Sequence, residues 1–171
     1  VSVSLRPIES SDVPFLFDLY ASTRADELAT VDWSAEEKQA FLAQQFIAQQ
    51  RAYTGTYDGA DFQVILCDGV RAGRLYLARW PAEIRIVDIA LLPEYRGRGI
   101  GSALIRDLQS EAVAGHSAIS IHVERFNPAK RLYERLGFAL AAERDDVYLL
   151  MRWDAGGATG LPSPDQPKTA S

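Results

Sequence analysis

Val87-Asp88-Ile89-Ala90-Leu91-Leu92-Pro93-Glu94-Tyr95-Arg96-Gly97-Arg98-Gly99-Ile100-Gly101-Ser102-Ala103-Leu104 is the stretch from which the fold is read. An apolar, β-branched run enters a cluster of glycines, and the glycines open an amphipathic helix. Glycines let successive N–H groups turn inward, and a new helix adds unpaired first-turn N–H donors and its positive dipole end, so the pattern predicts an anion site suited to a pyrophosphate. A Walker A loop needs Gly-Lys-Ser/Thr, which is absent here. A dinucleotide fingerprint G-x-G-x-x-G would need glycine at position 102 or 104, where Ser102 and Leu104 stand.

Working outward, Val3–Arg6 reads as a short strand, and Ser11-Asp12 open a first helix with Pro14 in its first turn. Ser34 and Glu37 form a capping box for a second helix reaching about Tyr53. Phe62–Leu66 and Val70–Trp80 are strands joined by the positive-φ turn Asp68-Gly69, and Pro81-Ala82 turns the chain into a third strand, Glu83–Leu92. These three strands form an antiparallel meander, which contradicts a parallel βαβ unit before the glycines. Ile100, Ala103, Leu104, Leu108 and Ala112 recur at helical spacing over Gly99–Ala114. Ala118–Glu124 alternates as a strand, Pro128–Leu136 is a helix stopped at Gly137, and Phe138–Ala142 with Val147–Trp153 close in a hairpin. The expected fold is α/β (α+β): a mixed, mostly antiparallel central sheet flanked by about four helices. It occupies residues 1–153, with 154–171 a Gly/Pro/Ser-rich flexible tail that has little to bury.

The segment Arg96-Gly97-Arg98-Gly99-Ile100-Gly101 has the form Arg/Gln-x-x-Gly-x-Gly, and with the leucines before it resembles the acetyl-CoA pyrophosphate loop of the GCN5-related N-acetyltransferase (GNAT) family. Asn127-Pro128-Ala129-Lys130-Arg131-Leu132-Tyr133-Glu134-Arg135-Leu136-Gly137-Phe138 resembles that family's second signature helix. The resemblance covers all but the tail. It implies an acetyl-CoA-dependent N-acetyltransferase, in which an amine attacks the thioester directly in a ternary complex; a non-catalytic acyl-CoA-binding sensor on the same fold is the alternative.

By that resemblance, the N–H groups of Arg98, Gly99, Ile100, Gly101 and Ser102 hold the pyrophosphate. Arg96 and Arg98 either add charge there or are solvated arginines. Ile89 and Leu91 pair their backbone with the cofactor arm, and the Ile89 N–H faces the thioester oxygen, where negative charge develops. Asn127 bonds the arm, caps the following helix, or does both. Tyr133 is either the acid for the departing thiolate or a core tyrosine; a phenol of ordinary pKa ~10 is protonated at neutral pH and suited to donate.

A general base is less legible. One position at which the family places an acid falls here on Arg85. Asp88 ranks first, because alternation puts it with Ile84, Ile86, Ala90 and Leu92, where an unpaired carboxylate is costly to bury. Glu83, on the opposite face, and His122, on the neighbouring strand, follow; a solvated or salt-bridged role competes for each. Arg24, Asp26, Glu27, Trp33, Tyr53 and Tyr148 are available to an acceptor pocket, or are surface residues.

Composition sets the outer bounds. The chain has 171 residues, a net charge of −5, one cysteine (Cys67) and two histidines (His116 and His122), so an internal disulfide and a four-cysteine zinc module are excluded and no metal is expected. The acidic balance argues against nucleic-acid binding. Arg125, Lys130, Arg131 and Arg135 still leave a basic neighbourhood beside the glycine loop that suits a phosphate-bearing ligand, or is scattered surface charge. No membrane partner is expected, since no apolar run reaches the ~20 residues of a membrane helix. The first residues lack a secretory layout, and a cytoplasmic location is the default expectation. The remaining partner is a small-molecule or peptide amine acceptor, with a homodimer left open.

Overall fold

The computed structural model describes residues 1–155. The strands are β1 (Val3–Pro7), β2 (Asp61–Cys67), β3 (Val70–Trp80), β4 (Glu83–Leu91), β5 (Ala118–Glu124), β6 (Ala139–Glu143) and β7 (Tyr148–Asp154). The helices are α1 (Val13–Ala29), α2 (Ala35–Thr56), α3 (Ile100–Gly115) and α4 (Ala129–Arg135). The order and type of these elements are those read from the sequence. β7 takes in Asp154, the first residue of the expected tail, and the rest of that tail, from residue 156, lies outside the described residues.

Local chemistry accounts for the boundaries. Ser34 Oγ accepts from the Glu37 N–H at 3.1 Å while Glu37 Oε2 accepts from the Ser34 N–H at 3.0 Å, the reciprocal cap that starts α2. Asp68 and Gly69 both have positive φ, 50° and 81°, the backbone demanded by a two-residue hairpin turn. Gly137, at φ 94°, ends α4.

The seven strands form one sheet in the order β1-β2-β3-β4-β5-β7-β6. All neighbours are antiparallel except β4 and β5, which α3 connects as a crossover. β7 inserts between β5 and β6, a placement the hairpin reading left unspecified. α3 and α4 cover one face over a core that includes Leu75, Leu77, Ile86, Ile105, Ile119 and Met151, each 1% exposed or less. Burying each such side chain contributes about 1.5–3 kcal/mol. α1 and α2 cover the other face, with Leu16, Tyr20, Leu42 and Phe46 between them. No described helix is long and apolar enough to cross a membrane.

Two irregularities shape the centre. β4 and β5 pair only through Glu83–Ile86 and Ala118–Ile121, although both strands continue, so they part and leave the rest of β4 with an open edge. The β3–β4 register also slips between Tyr76 and Leu77: Leu77 lies opposite Ile86 and Tyr76 opposite Asp88, making Val87 an extra, bulged residue. The bulge corrects the strand phase. Ile84, Ile86, Ile89 and Leu91 pack into the α3 side, whereas Asp88 joins Arg85 and Glu83 on the α1/α2 side; it is not aligned with Ile84 and Ile86 as simple alternation implied.

Candidate active site

The glycine loop begins at the open end of β4. Gly97 and Gly99 have φ of 71° and 79°, and Gly99 is the left-handed N-cap of α3 without a side-chain cap. The first N–H of this segment to reach a carbonyl is that of Ala103, bonded to Gly99 at 3.0 Å; those of Arg98 through Ser102 have no protein acceptor among the described residues. A Cβ on Gly99 would meet no atom within 4 Å, so the space beside this glycine is open. Five unpaired N–H groups at a helix's positive end fit a pyrophosphate. Arg96 is committed elsewhere: its Nε donates to the Leu91 carbonyl at 2.9 Å and its Nη2 lies 3.4 Å from Ser22 Oγ, pinning loop to strand and helix. Arg98 lies over the Tyr95 ring at 5.6 Å.

The open edge of β4 carries the backbone groups expected there. The Leu92 N–H donates to the Ala72 carbonyl at 2.8 Å, which places residues 92 and 90 in hydrogen-bonded rungs with β3. Ile89 and Leu91 then occupy the alternate rungs, with N–H and C=O directed away from β3 toward the split. The Leu91 carbonyl is taken by Arg96, so the free groups are the Ile89 amide pair and the Leu91 N–H.

A cleft of about 260 Å³ lies at the split, bordered by Ile89 and Ala90 of β4, His122 and Glu124 of β5, Asn127 and Tyr133 around α4, and α1, α2 and β7. A second hollow of about 430 Å³, between α2 and β2 near Thr54 and Phe62, touches none of these groups. Tyr133 is 5% exposed and lines the cleft; burial first, then the charge of Asp88, raises its pKa above the ordinary phenol value, so it is protonated throughout the neutral range. Asn127 Oδ1 accepts from the Ala129 N–H at 2.9 Å and so caps α4, while Asn127 itself still borders the cleft.

Asp88 also borders the cleft, but not as an unpaired carboxylate. Arg74 Nη2 donates to its Oδ2 at 2.6 Å and the Tyr53 hydroxyl donates to the same oxygen at 2.9 Å. Oδ1 has no protein partner among the described residues. Arg74 is 2% exposed, its Nη2 also bonds Gln49 Oε1 at 3.0 Å, and its Nε and Nη1 are buried without a partner among the described residues, beside the Tyr76 ring at 5.3 Å. Burial, with Asp88 next, drives the Tyr53 pKa well above the ordinary value.

Glu83 is placed outside this assembly. It sits at the paired end of β4, 7% exposed, with Arg152 Nη1 at 3.1 Å, and does not border the cleft. His122 does border it. Desolvation, then the charges of Arg85 and Arg144, push its pKa down to about 4. Of the side chains named for the acceptor pocket, Arg24, Glu27, Tyr53 and Tyr148 line the cleft; Asp26 and Trp33 do not. Sequence reasoning missed Arg74, Gln49 and Glu124. An arginine inside an apolar strand, Val70–Trp80, was the available signal for Arg74.

Fold and loop together define a mixed-sheet protein with an anion cradle beside a split sheet. A family model described as an acetyltransferase (GNAT) domain matches residues 58–140, the span holding β4, the loop, α3 and Tyr133. Over this span, just under half of the chain, the protein is similar to the GNAT acetyltransferase domain. It is 34% identical over 97 residues to streptothricin acetyltransferase from Streptomyces lavendulae, covering 53% of this chain and 50% of that one. It is 40% identical over 65 residues to mycothiol acetyltransferase from Corynebacterium aurimucosum, covering 37% of this chain and 21% of that one. The match thus spans half or less of these relatives' lengths. A solved structure of PaiA N-acetyltransferase from Thermoplasma acidophilum in complex with coenzyme A superposes with a TM-score of 0.66 at 16% identity, over 90% of this chain and 99% of that one, a likeness of fold.

Proposed function

We propose that the chain transfers an acetyl group from acetyl-CoA to an amine acceptor, a small molecule or peptide, by direct attack in a ternary complex. The observation that carries this reading is a β4 strand whose open edge borders one cleft with the buried Tyr133 and whose end runs into the Gly99 anion cradle. The names of the relatives, acetyltransferases on two different acceptors, support the reaction class and leave the acceptor open.

Acetyl-CoA supplies the acetyl group as a thioester. The N–H groups of residues 98–102 hold its pyrophosphate, and the Ile89 N–H donates where charge builds on the thioester oxygen, an interaction that strengthens in the transition state. The amine nitrogen forms the new bond to the acetyl carbon as the bond to sulfur breaks. Tyr133 gives its proton to the departing sulfur, and the second proton, shed by the nitrogen once it is acylated, returns through water to the phenolate. Asp88 Oδ1 receives the acceptor's ammonium group and takes up its proton, directly or through water, because Arg74 and Tyr53 hold the carboxylate by the other oxygen. Positioning and oxyanion stabilisation supply most of the rate.

Calorimetric titration with CoA, followed by thiol release from acetyl-CoA across small amines, amino acids, aminoglycosides, polyamines and peptide N-termini, tests the reading. Binding with turnover of some amines is expected. CoA binding without release for any acceptor would favour the acyl-CoA sensor, and no CoA binding would refute both.

A further inference from the structure

We propose that Arg85 is a positioning residue that holds His122 as an uncharged Nε2–H tautomer, so that the β5 wall of the cleft presents a hydrogen-bond donor and no positive charge. Arg85 stands where an acid was sought for the base, yet it does not reach the cleft; it acts through its neighbour.

The guanidinium is fixed from several sides. Its Nε donates to Ser120 Oγ at 2.7 Å, its Nη1 lies 3.4 Å from the Tyr57 hydroxyl, and its Nη2 is 3.8 Å from Glu83 Oε2. The Trp80 ring covers it at 5.2 Å, and the residue is 8% exposed. From this position Nη1 also lies 3.4 Å from His122 Nδ1. An arginine has only donors to offer, so Nδ1 must be the acceptor and the ring proton sits on Nε2. Protonating Nδ1 would bring two cationic N–H groups together.

The remaining surroundings reinforce this. Leu150, directly opposite on β7, is apolar, and Arg144, after β6, adds positive charge. Asp88 and Glu124 share the cleft with the ring, but Asp88 is already paired with Arg74 and Glu124 lies near the Tyr148 hydroxyl. Desolvation first, then the charges of Arg85 and Arg144, depress its pKa to about 4. His122 is therefore a weak base at neutral pH, and its neutrality keeps the cleft from repelling a cationic amine. That consequence for an acceptor rests on the acetyltransfer reading; the tautomer does not.

Nitrogen-15 NMR of the full chain over pH 4–8 reads both tautomer and titration of His122, with His116 as internal reference. The expected result is an Nε2–H ring that stays neutral down to about pH 5. In Arg85→Met the titration midpoint should climb but stop short of the ordinary ~6.5, since desolvation and Arg144 remain. Arg85→Lys, which keeps the charge, should hold it low. In Arg85→Met the KM for an amine acceptor should rise as pH falls through the new midpoint, while CoA affinity should not follow it. A wild-type His122 that titrates in the ordinary range, an Nδ1–H tautomer, or a midpoint unmoved in Arg85→Met overturns the proposal. Loss of all acetyltransfer with the NMR behaviour intact would instead refute the catalytic reading and leave the Arg85–His122 pair standing.

Discussion

Replacing Gly99 with valine separates the cost of folding from the cost of binding. Gly99 has φ 79° and ψ 7°, and a side chain in that left-handed region costs roughly 1–2 kcal/mol. Its Cβ meets no protein atom within 4 Å, so no steric clash adds to that strain. Against a typical stability of ~5–15 kcal/mol, the variant should fold. Binding should suffer far more, because the added methyls occupy the space the pyrophosphate needs. Each charge-assisted N–H bond lost costs about 1.5–3 kcal/mol, so losing one or two weakens CoA binding by roughly ten-fold to roughly 10⁴-fold. Gly69→Val is the control: its φ is 81°, nothing lies within 4 Å of its Cβ, and it sits in the β2–β3 turn. Calorimetry with CoA and thermal melts on both variants give the comparison. Similar melting temperatures with CoA binding lost only in Gly99→Val are expected. Undiminished affinity in folded Gly99→Val would refute the placement of the anion.

Tyr133→Phe should keep CoA affinity and lower turnover by about 10²-fold in single-turnover assays, the low end for acid catalysis. Asp88→Asn leaves Arg74 without its carboxylate and should cost about 3–5 kcal/mol in urea unfolding; adding Arg74→Met should recover part of that, since removing both partners of a buried pair is milder than removing one. If Asp88 takes the amine's proton, its rate deficit should shrink for acceptors of lower amine pKa, whereas a purely structural role gives the same deficit for all. The hydrogen bonds from Arg6 hold buried Asp12 well below the ordinary carboxylate range, outweighing its desolvation. Because the folded pKa is the lower one, that stabilisation is fully present above the unfolded value of ~3.9 and fades as pH falls below it. Asp12→Asn should accordingly lower the melting temperature at pH 7 and flatten its decline between pH 4 and 2.

Much of this was readable along the chain because it is local. The Ser34 cap, the Asp68-Gly69 turn, the glycine loop and the Gly137 stop each depend on residues within a few positions, and the periodicities of α3 and β5 depend only on one element's spacing. Asp88 marks the limit. Its type and its nearness to Ile89 were visible, but its face was not, because one bulged residue at Val87 reverses strand phase beyond it. Its partners were equally hidden: Tyr53 is 35 positions away and Arg74 is 14, brought together by α2 folding over β3 and β4.

By itself, then, the amino-acid order determined the elements, their succession, the anion loop and the tyrosine after it, since backbone torsions, caps and amphipathic spacing are short-range physics. Tertiary structure alone decided that β4 and β5 part after Ile86, that β7 enters beside β5, that Glu83 lies at the closed end while Asp88 and His122 border the cleft, and that Arg85 reaches Ser120 and His122 across the paired strands. Those outcomes depend on strand register and on packing between residues far apart in sequence, where a slip of one position exchanges the two faces of a strand.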